Sequence, residues 1–201
     1  MSARAKFFCI NAALVVVFDQ ITKWLAIAHL TDAFSARHGG AEATGFFDQL
    51  SRFLWVEHPM RTEVVPVVEG LWNYRYVENP GAAFGFLASS DSWLRTPFFL
   101  TVTAVALVFI ISMFRQSTLE QKLLRLSLGM IFGGAIGNLI DRGRLGYVID
   151  FIDWHWYDAY TWPTFNIADS AISIGVCFLV LEMIKGDGVV EEETPSSTQG
   201  E

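Results

Sequence analysis

Cysteine is nearly absent from this chain of 201 residues, and the two present are Cys9 and Cys177. Each sits in an apolar run, with no Cys-x-x-Cys spacing. That excludes a disulfide framework and a thiolate metal site, and both read as small buried hydrophobes. Histidine is equally sparse: His29, His38, His58 and His155 are scattered, and no His-Glu-x-x-His occurs, so the zinc-protease signature is missing. No Gly-x-Ser-x-Gly elbow frames a serine nucleophile, although Ser170 follows Asp169. No glycine-rich phosphate loop is present, and nothing calls for a metal or cofactor. There is no basic excess either. The net charge of −7 argues against nucleic acid as a partner.

What the chain does have is apolar length. Hydrophobic residues make up 52% of it, with 17 Phe and 7 Trp. Four segments, at about 7–30, 97–114, 123–140 and 165–184, approach the roughly 20 apolar residues that a membrane-spanning helix needs. Each is expected to be helical, because an isolated strand cannot satisfy its backbone in lipid. The first could be taken for a cleaved signal peptide, with Ala26-Ile27-Ala28 as its cleavage site. However, Asp19 and Lys23 interrupt it at i, i+4, a spacing that lets them pair on a retained helix. In the third, Gly129, Gly133 and Gly137 form a small-residue stripe suited to close helix packing. The fold class is therefore mainly α: a four-transmembrane-helix bundle forming a single membrane-embedded unit over 1–186. The acidic, polar stretch 187–201 reads as a disordered tail.

The long loop 31–96 has structure of its own. Within 45–58, Phe46, Leu50, Phe53, Leu54 and Glu57 share one face, as in a short amphipathic interfacial helix or a helix of a small soluble insert. Over 71–77, Trp72, Tyr74 and Tyr76 alternate with Asn73 and Arg75, a strand pattern, and Asn79-Pro80-Gly81 follows as a turn. The end shared by the two termini and the 115–122 loop carries Arg4, Lys6, Arg115, Lys122, Arg125 and Lys185. The other end carries Arg37, Arg52, Arg61, Arg75, Arg95, Arg142 and Arg144. Counting charges does not settle orientation. Long loops translocate largely regardless of charge, so the short basic loop decides: both termini are expected in the cytoplasm.

Few polar residues lie in or beside the spans: Asp19, Lys23, Asn138, Asp141, Arg142, Asp150, Asn166, Asp169 and Glu182. All but Glu182 fall at one end of the four-span arrangement. Asn138, Asp141 and Arg142 are spaced to share a helical face. Asn166 and Asp169 are likewise i, i+3, with Asp169 expected about a turn inside the last span. Ionisable groups in such places are functional by default, although Asn138, Asp141 and Arg142 could equally serve as polar glue between helices. Two carboxylates at one membrane face, Asp150 and Asp169, can share a proton and activate water. A small ion- or proton-coupled transporter would also carry intramembrane Asp and Lys, but it would want them near the midplane, and no inverted repeat is visible. Asp153, Trp154 and His155 could bind a metal, but the surrounding aromatics read as an interfacial belt.

Five strings together resemble one family. They are Asp19-Gln-Ile-Thr-Lys23, Asn79-Pro-Gly-Ala-Ala-Phe-Gly, Gly133-Gly-Ala-Ile-Gly-Asn-Leu-Ile-Asp-Arg142, Gly146-Tyr-Val-Ile-Asp-Phe-Ile-Asp and Phe165-Asn-Ile-Ala-Asp169. They resemble bacterial lipoprotein signal peptidase, signal peptidase II, in order across all four spans. The resemblance implies an aspartic endopeptidase of the inner membrane with its site near the extracytoplasmic face. It would remove signal peptides from diacylglyceryl-modified prolipoproteins and would be open to globomycin-like cyclic peptide inhibitors. It also implies Asp150 and Asp169 as the catalytic pair. Asn79, Gly81, Asn138, Arg142 and Asn166 would line or support the site, with Asp19, Lys23 and Asp141 as supporting residues. A small extracytoplasmic β-cradle would include the strand near 71–77. The departure is length: Asp19 and Asn79 are further apart than is usual, and the resemblance supplies no role for the extra stretch at about 34–59.

Overall fold

The structure, a computed structural model, describes residues 2–34, 45–55, 62–81, 92–118, 120–157 and 159–187. The tail after 187 and parts of the long loop lie outside these. Among the described residues four helices are long and apolar enough to cross a membrane: α1 (Ala3–Leu30), α3 (Ser92–Gln116), α4 (Lys122–Leu145) and α5 (Ile167–Asp187). The short α2 (Phe46–Trp55) lies in the long loop. Ser2 caps α1, its Oγ accepting from Ala5 N at 3.3 Å, and the helix runs unbroken through the cleavage-like Ala26-Ile27-Ala28. α4 continues five residues past its expected end and stops at Gly146. The φ there is +79°, which only glycine adopts freely, and its N–H closes on Arg142 O at 3.0 Å.

α4 is the central helix, packed against α1, α3 and α5. Its glycines make the close approach possible. A Cβ on Gly133 would stand 2.7 Å from Ala12 O of α1, and one on Gly134 would stand 2.5 Å from Ala168 O of α5. In lipid, where burial of apolar surface drives little, backbone approach of this kind is what holds spans together. The outward faces are apolar, with Leu14 and Val105 over 60% exposed, as lipid-facing surfaces should be. Cys9 and Cys177 also face outward, contrary to the expected burial. In a bundle of four spans the apolar residues cover the outside as well as the seams, so an apolar neighbourhood in sequence does not imply an interior position.

At one end of the bundle sits an antiparallel sheet in the order β1 (Val64–Val68), β2 (Trp72–Asn79), β3 (Val148–Trp156), β4 (Tyr160–Thr161). Only β2 follows from sequence pattern. β3 begins two residues after Gly146, and its first six residues, Val148 to Asp153, are all buried, so they show no alternation to detect. Register pairs Val77 with Asp150 and Asn79 with Val148. The sheet and the ends of α1 and α4 enclose an apolar cluster containing Ile27, Leu30, Phe34, Phe53, Tyr76, Ile149 and Phe151. α2 joins it through Phe53, with Leu50 partly covered. Phe46 and Leu54 of the expected stripe stay exposed, because the protein supports only one edge of the helix, and Glu57 lies outside the described residues.

Candidate active site

Asp150 is the third residue of β3 and is 1% exposed. Asp169 lies in the first turn of α5, not a full turn inside it. Asn166 precedes α5, so the pair does not share a helical face as expected. Instead it forms a reciprocal cap. Asn166 Oδ1 accepts from Asp169 N at 2.9 Å, and Asp169 Oδ2 accepts from Asn166 N at 3.3 Å. The spacing is the same, but the helix starts two residues later than expected, which turns a facing pair into a cap. The next free N–H of α5, Ala168 N, donates to Asp19 Oδ1 of α1 at 3.0 Å. One helix therefore caps another, and Asp169 is fixed in place.

Amides hold both carboxylates. Asn79 Nδ2 donates to Asp150 Oδ2 at 2.9 Å, and Asn166 Nδ2 to Asp150 Oδ1 at 2.7 Å. Asn138 Nδ2 donates to Asp169 Oδ1 at 2.8 Å. Each amide is oriented by what its oxygen accepts. Gly81 N donates to Asn79 Oδ1 at 3.1 Å, and Lys23 Nζ to Asn138 Oδ1 at 3.1 Å, so both Nδ2 groups must face the aspartates. Gly81 also presents its carbonyl to Arg142 Nη2 at 3.3 Å. The Arg142 charge acts on both aspartates and stacks over Phe99, 5.0 Å from the ring centroid. Burial, and next the charge of Asp169, push the Asp150 carboxyl up to about 7, against the lowering effect of the Asn79 and Asn166 donors.

Behind this front lies a buried charge cluster. Lys23 Nζ is 2.9 Å from Asp19 Oδ2 and 2.8 Å from Asp141 Oδ2, and all three side chains are fully buried. Asp141 also accepts from Ile149 N at 3.2 Å, which ties α4 to the start of β3 next to Asp150. Asn138 and Asp141 thus do both things the sequence left open: they join helices, and they stand behind the aspartates. Asp153 pairs with Arg75 at 3.3 Å.

The sequence profile described as signal peptidase (SPase) II matches residues 41–185. The chain belongs to the signal peptidase II family. A lipoprotein signal peptidase of Anaeromyxobacter sp. is 40% identical over 210 positions, covering 100% of this chain and 97% of that one. Those of Syntrophotalea carbinolica and Geobacter metallireducens are 48% and 51% identical, covering 71% and 61% of this chain and 86% and 74% of their own. A solved bacterial membrane enzyme superposes with a TM-score of 0.66 at 28% identity, over 93% of both chains. Family membership makes this a peptidase, and its four apolar spans make it a multi-pass membrane protein.

Two residues of this peptidase's polar network had no role in the sequence reading. Gln20 Nε2 lies 3.1 Å from Asp19 Oδ2, 3.2 Å from Asp141 Oδ1 and 3.3 Å from Gly137 O, crossing from α1 to α4. Arg144 Nη2 reaches Asp141 Oδ1 at 3.4 Å, while Nη1 donates to Phe53 O at 2.6 Å. Gln20 falls inside a matched string, and Arg144 is i+3 from Asp141. Both were visible as neighbours, but only helix packing supplies their partners.

Proposed function

We propose that this protein removes signal peptides from prolipoproteins by hydrolysing the bond on the N-terminal side of a diacylglyceryl-modified cysteine, with Asp150 and Asp169 as the catalytic pair. The observation that carries the reading is Asn166, whose Nδ2 donates to Asp150 Oδ1 and whose backbone N donates to Asp169 Oδ2, so that a carboxyl of the sheet is set near one at the start of α5. Family membership points the same way. Two close carboxyls do not readily ionise together, and burial with the charge of Asp169 favours the proton on Asp150. Asp169 then takes a proton from water as its oxygen bonds to the scissile carbonyl carbon, and Asp150 gives its proton to the carbonyl oxygen. On collapse of the gem-diol Asp169 gives its proton to the amide nitrogen, Asp150 takes one back from a gem-diol hydroxyl, and the C–N bond breaks. The products are a carboxylic acid, which ionises in water, and the amine of the lipidated cysteine, and the dyad is regenerated. Asn138, Asn166 and Asn79 hold the carboxylates, and Arg142 supplies a compensating positive charge.

The polar residues gather at one end of the spans, which speaks against a transport path through them. On this reading the spans sit in the bacterial inner membrane with both termini cytoplasmic and the site extracytoplasmic. Membrane lipids surround it, and globomycin-like cyclic peptides would compete for it. The test is purified protein with a lipidated and an unlipidated precursor peptide. Cleavage of the lipidated peptide alone, lost in both Asp150→Asn and Asp169→Asn, is the expected result. Near-normal turnover by either variant would refute the dyad.

A further inference from the structure

The helix α2 has no part in the chemistry, yet its surface is unusual. Phe46, Phe47 and Trp55 are 63%, 82% and 74% exposed on a helix of 10 residues. Its position is fixed from two sides. Arg144, in the last turn of α4, stacks on the Phe53 ring 4.2 Å from its centroid and donates to Phe53 O. Arg52 Nη1 donates to Ala33 O, just past the end of α1, at 3.0 Å. Phe53 and Leu50 fill the apolar cluster with Leu30 and Phe34. α2 therefore lies across the ends of two membrane-spanning helices. The last outward-facing apolar residues of those spans, Leu25 of α1 and Ile140 of α4, are close by. Five residues separate Leu25 from Leu30 and four separate Ile140 from Arg144, or about 6–8 Å at about 1.5 Å per residue. That depth is the headgroup band, since a bilayer of about 30 Å hydrocarbon is about 40–45 Å thick with its polar regions.

We propose that α2 is a membrane-interface anchor. Phe47 and Leu54 enter the lipid of the leaflet at the site end of the spans, and Trp55 sits at headgroup depth. Phe47 and Leu54 are seven residues apart and share the strip beside the buried Leu50–Phe53 row, whereas Asp48 points away from it. A helix with one edge on protein, the adjoining strip apolar and a far side that sets Trp55 beside Asp48 fits where protein, lipid and water meet. A second copy of the chain is a poorer occupant, because one ten-residue helix offers far less than the roughly 800 Å² per partner of a stable interface. Since Arg144 also reaches Asp141, the segment meeting lipid is one side chain away from the buried charges behind the aspartates.

Site-directed spin labelling tests this without relying on catalysis. The full chain, with Cys9 and Cys177 replaced by serine, is labelled in turn at Phe47→Cys, Leu54→Cys and Asp48→Cys, with folding checked by the thermal transition. It is then placed in nanodiscs of phosphatidylethanolamine and phosphatidylglycerol. Collisions with oxygen, which concentrates in lipid, are compared with collisions with a water-soluble nickel chelate. Oxygen should dominate at 47 and 54, and nickel at 48. If nickel reaches 47 and 54 as readily as 48, the helix stands in water and the proposal fails. If 47 and 54 are shielded from both reagents, a protein partner covers the strip and the proposal fails in that direction.

Discussion

Replacing Asp150 by asparagine should change how stability depends on pH, by an amount the site itself sets. The carboxyl is 1% exposed and raised from 3.8 to about 7 by burial and by the charge of Asp169. At about 1.4 kcal/mol for each pH unit, this corresponds to about 4 kcal/mol. The sign follows from linkage: a carboxyl with a raised pKa holds its proton more tightly when folded. Its stabilising contribution is complete below the unfolded value of 3.8 and is lost as pH rises through about 7. Wild type should therefore lose stability over pH 4–8 through this group, and Asp150→Asn should not. The new amide also sets a donor against Asn79 Nδ2 or Asn166 Nδ2, a cost that does not vary with pH. The variant can thus start below wild type at pH 4, yet the difference between them must move in the variant's favour by up to about 4 kcal/mol by pH 8. At about 2–4 °C per kcal/mol for a chain of this size, the relative Tm should shift by up to about 8–16 °C. Thermal unfolding in detergent, followed by tryptophan fluorescence at several pH values, measures it. Parallel Tm curves for the two proteins would refute the claim that Asp150 is held protonated by its surroundings.

Lys23→Met should leave Asp19 and Asp141 buried without their shared cation and cost about 3–5 kcal/mol, read as a fall in Tm, with part of the loss recovered by adding Asp141→Asn. Gly133→Ala should destabilise by about 1–3 kcal/mol, because its Cβ would meet Ala12 O at 2.7 Å. Gly143→Ala, with open space around its Cβ, should instead gain up to about 1 kcal/mol from helix propensity. Orientation is checked in a cysteine-free background. Asp48→Cys should react with an impermeant maleimide added to intact spheroplasts, whereas Glu120→Cys, exposed at the opposite end, should react only after lysis. The reverse pattern would place the aspartates on the cytoplasmic side.

The four spans were legible because hydrocarbon demands nearly the same thing of every residue in a run, and a run is a one-dimensional property. Helix ends were less so. α4 outlasts its apolar stretch because Asp141, Arg142 and Arg144 find partners on α1, at Gly81 and at Phe53, which keeps a charged turn helical beyond the expected boundary. β2 announced itself by alternating aromatics, since one face meets the apolar cluster and the other does not. β3 did not, because it is covered on both faces and its six buried residues mix a run of hydrophobes with two aspartates. The sequence by itself placed Asp19, Lys23, Asn138, Asp141, Asp150, Asn166 and Asp169 at one end of the spans, from the position of each relative to its nearest apolar run. Only tertiary structure decided which amide faces which carboxylate, that Asp19 caps α5 through Ala168 N, and that Gln20 and Arg144 complete the buried cluster. Asp19 and Gln20 meet partners more than a hundred positions away, and the network exists because glycines on α4 let three helices approach closely enough for polar side chains to meet.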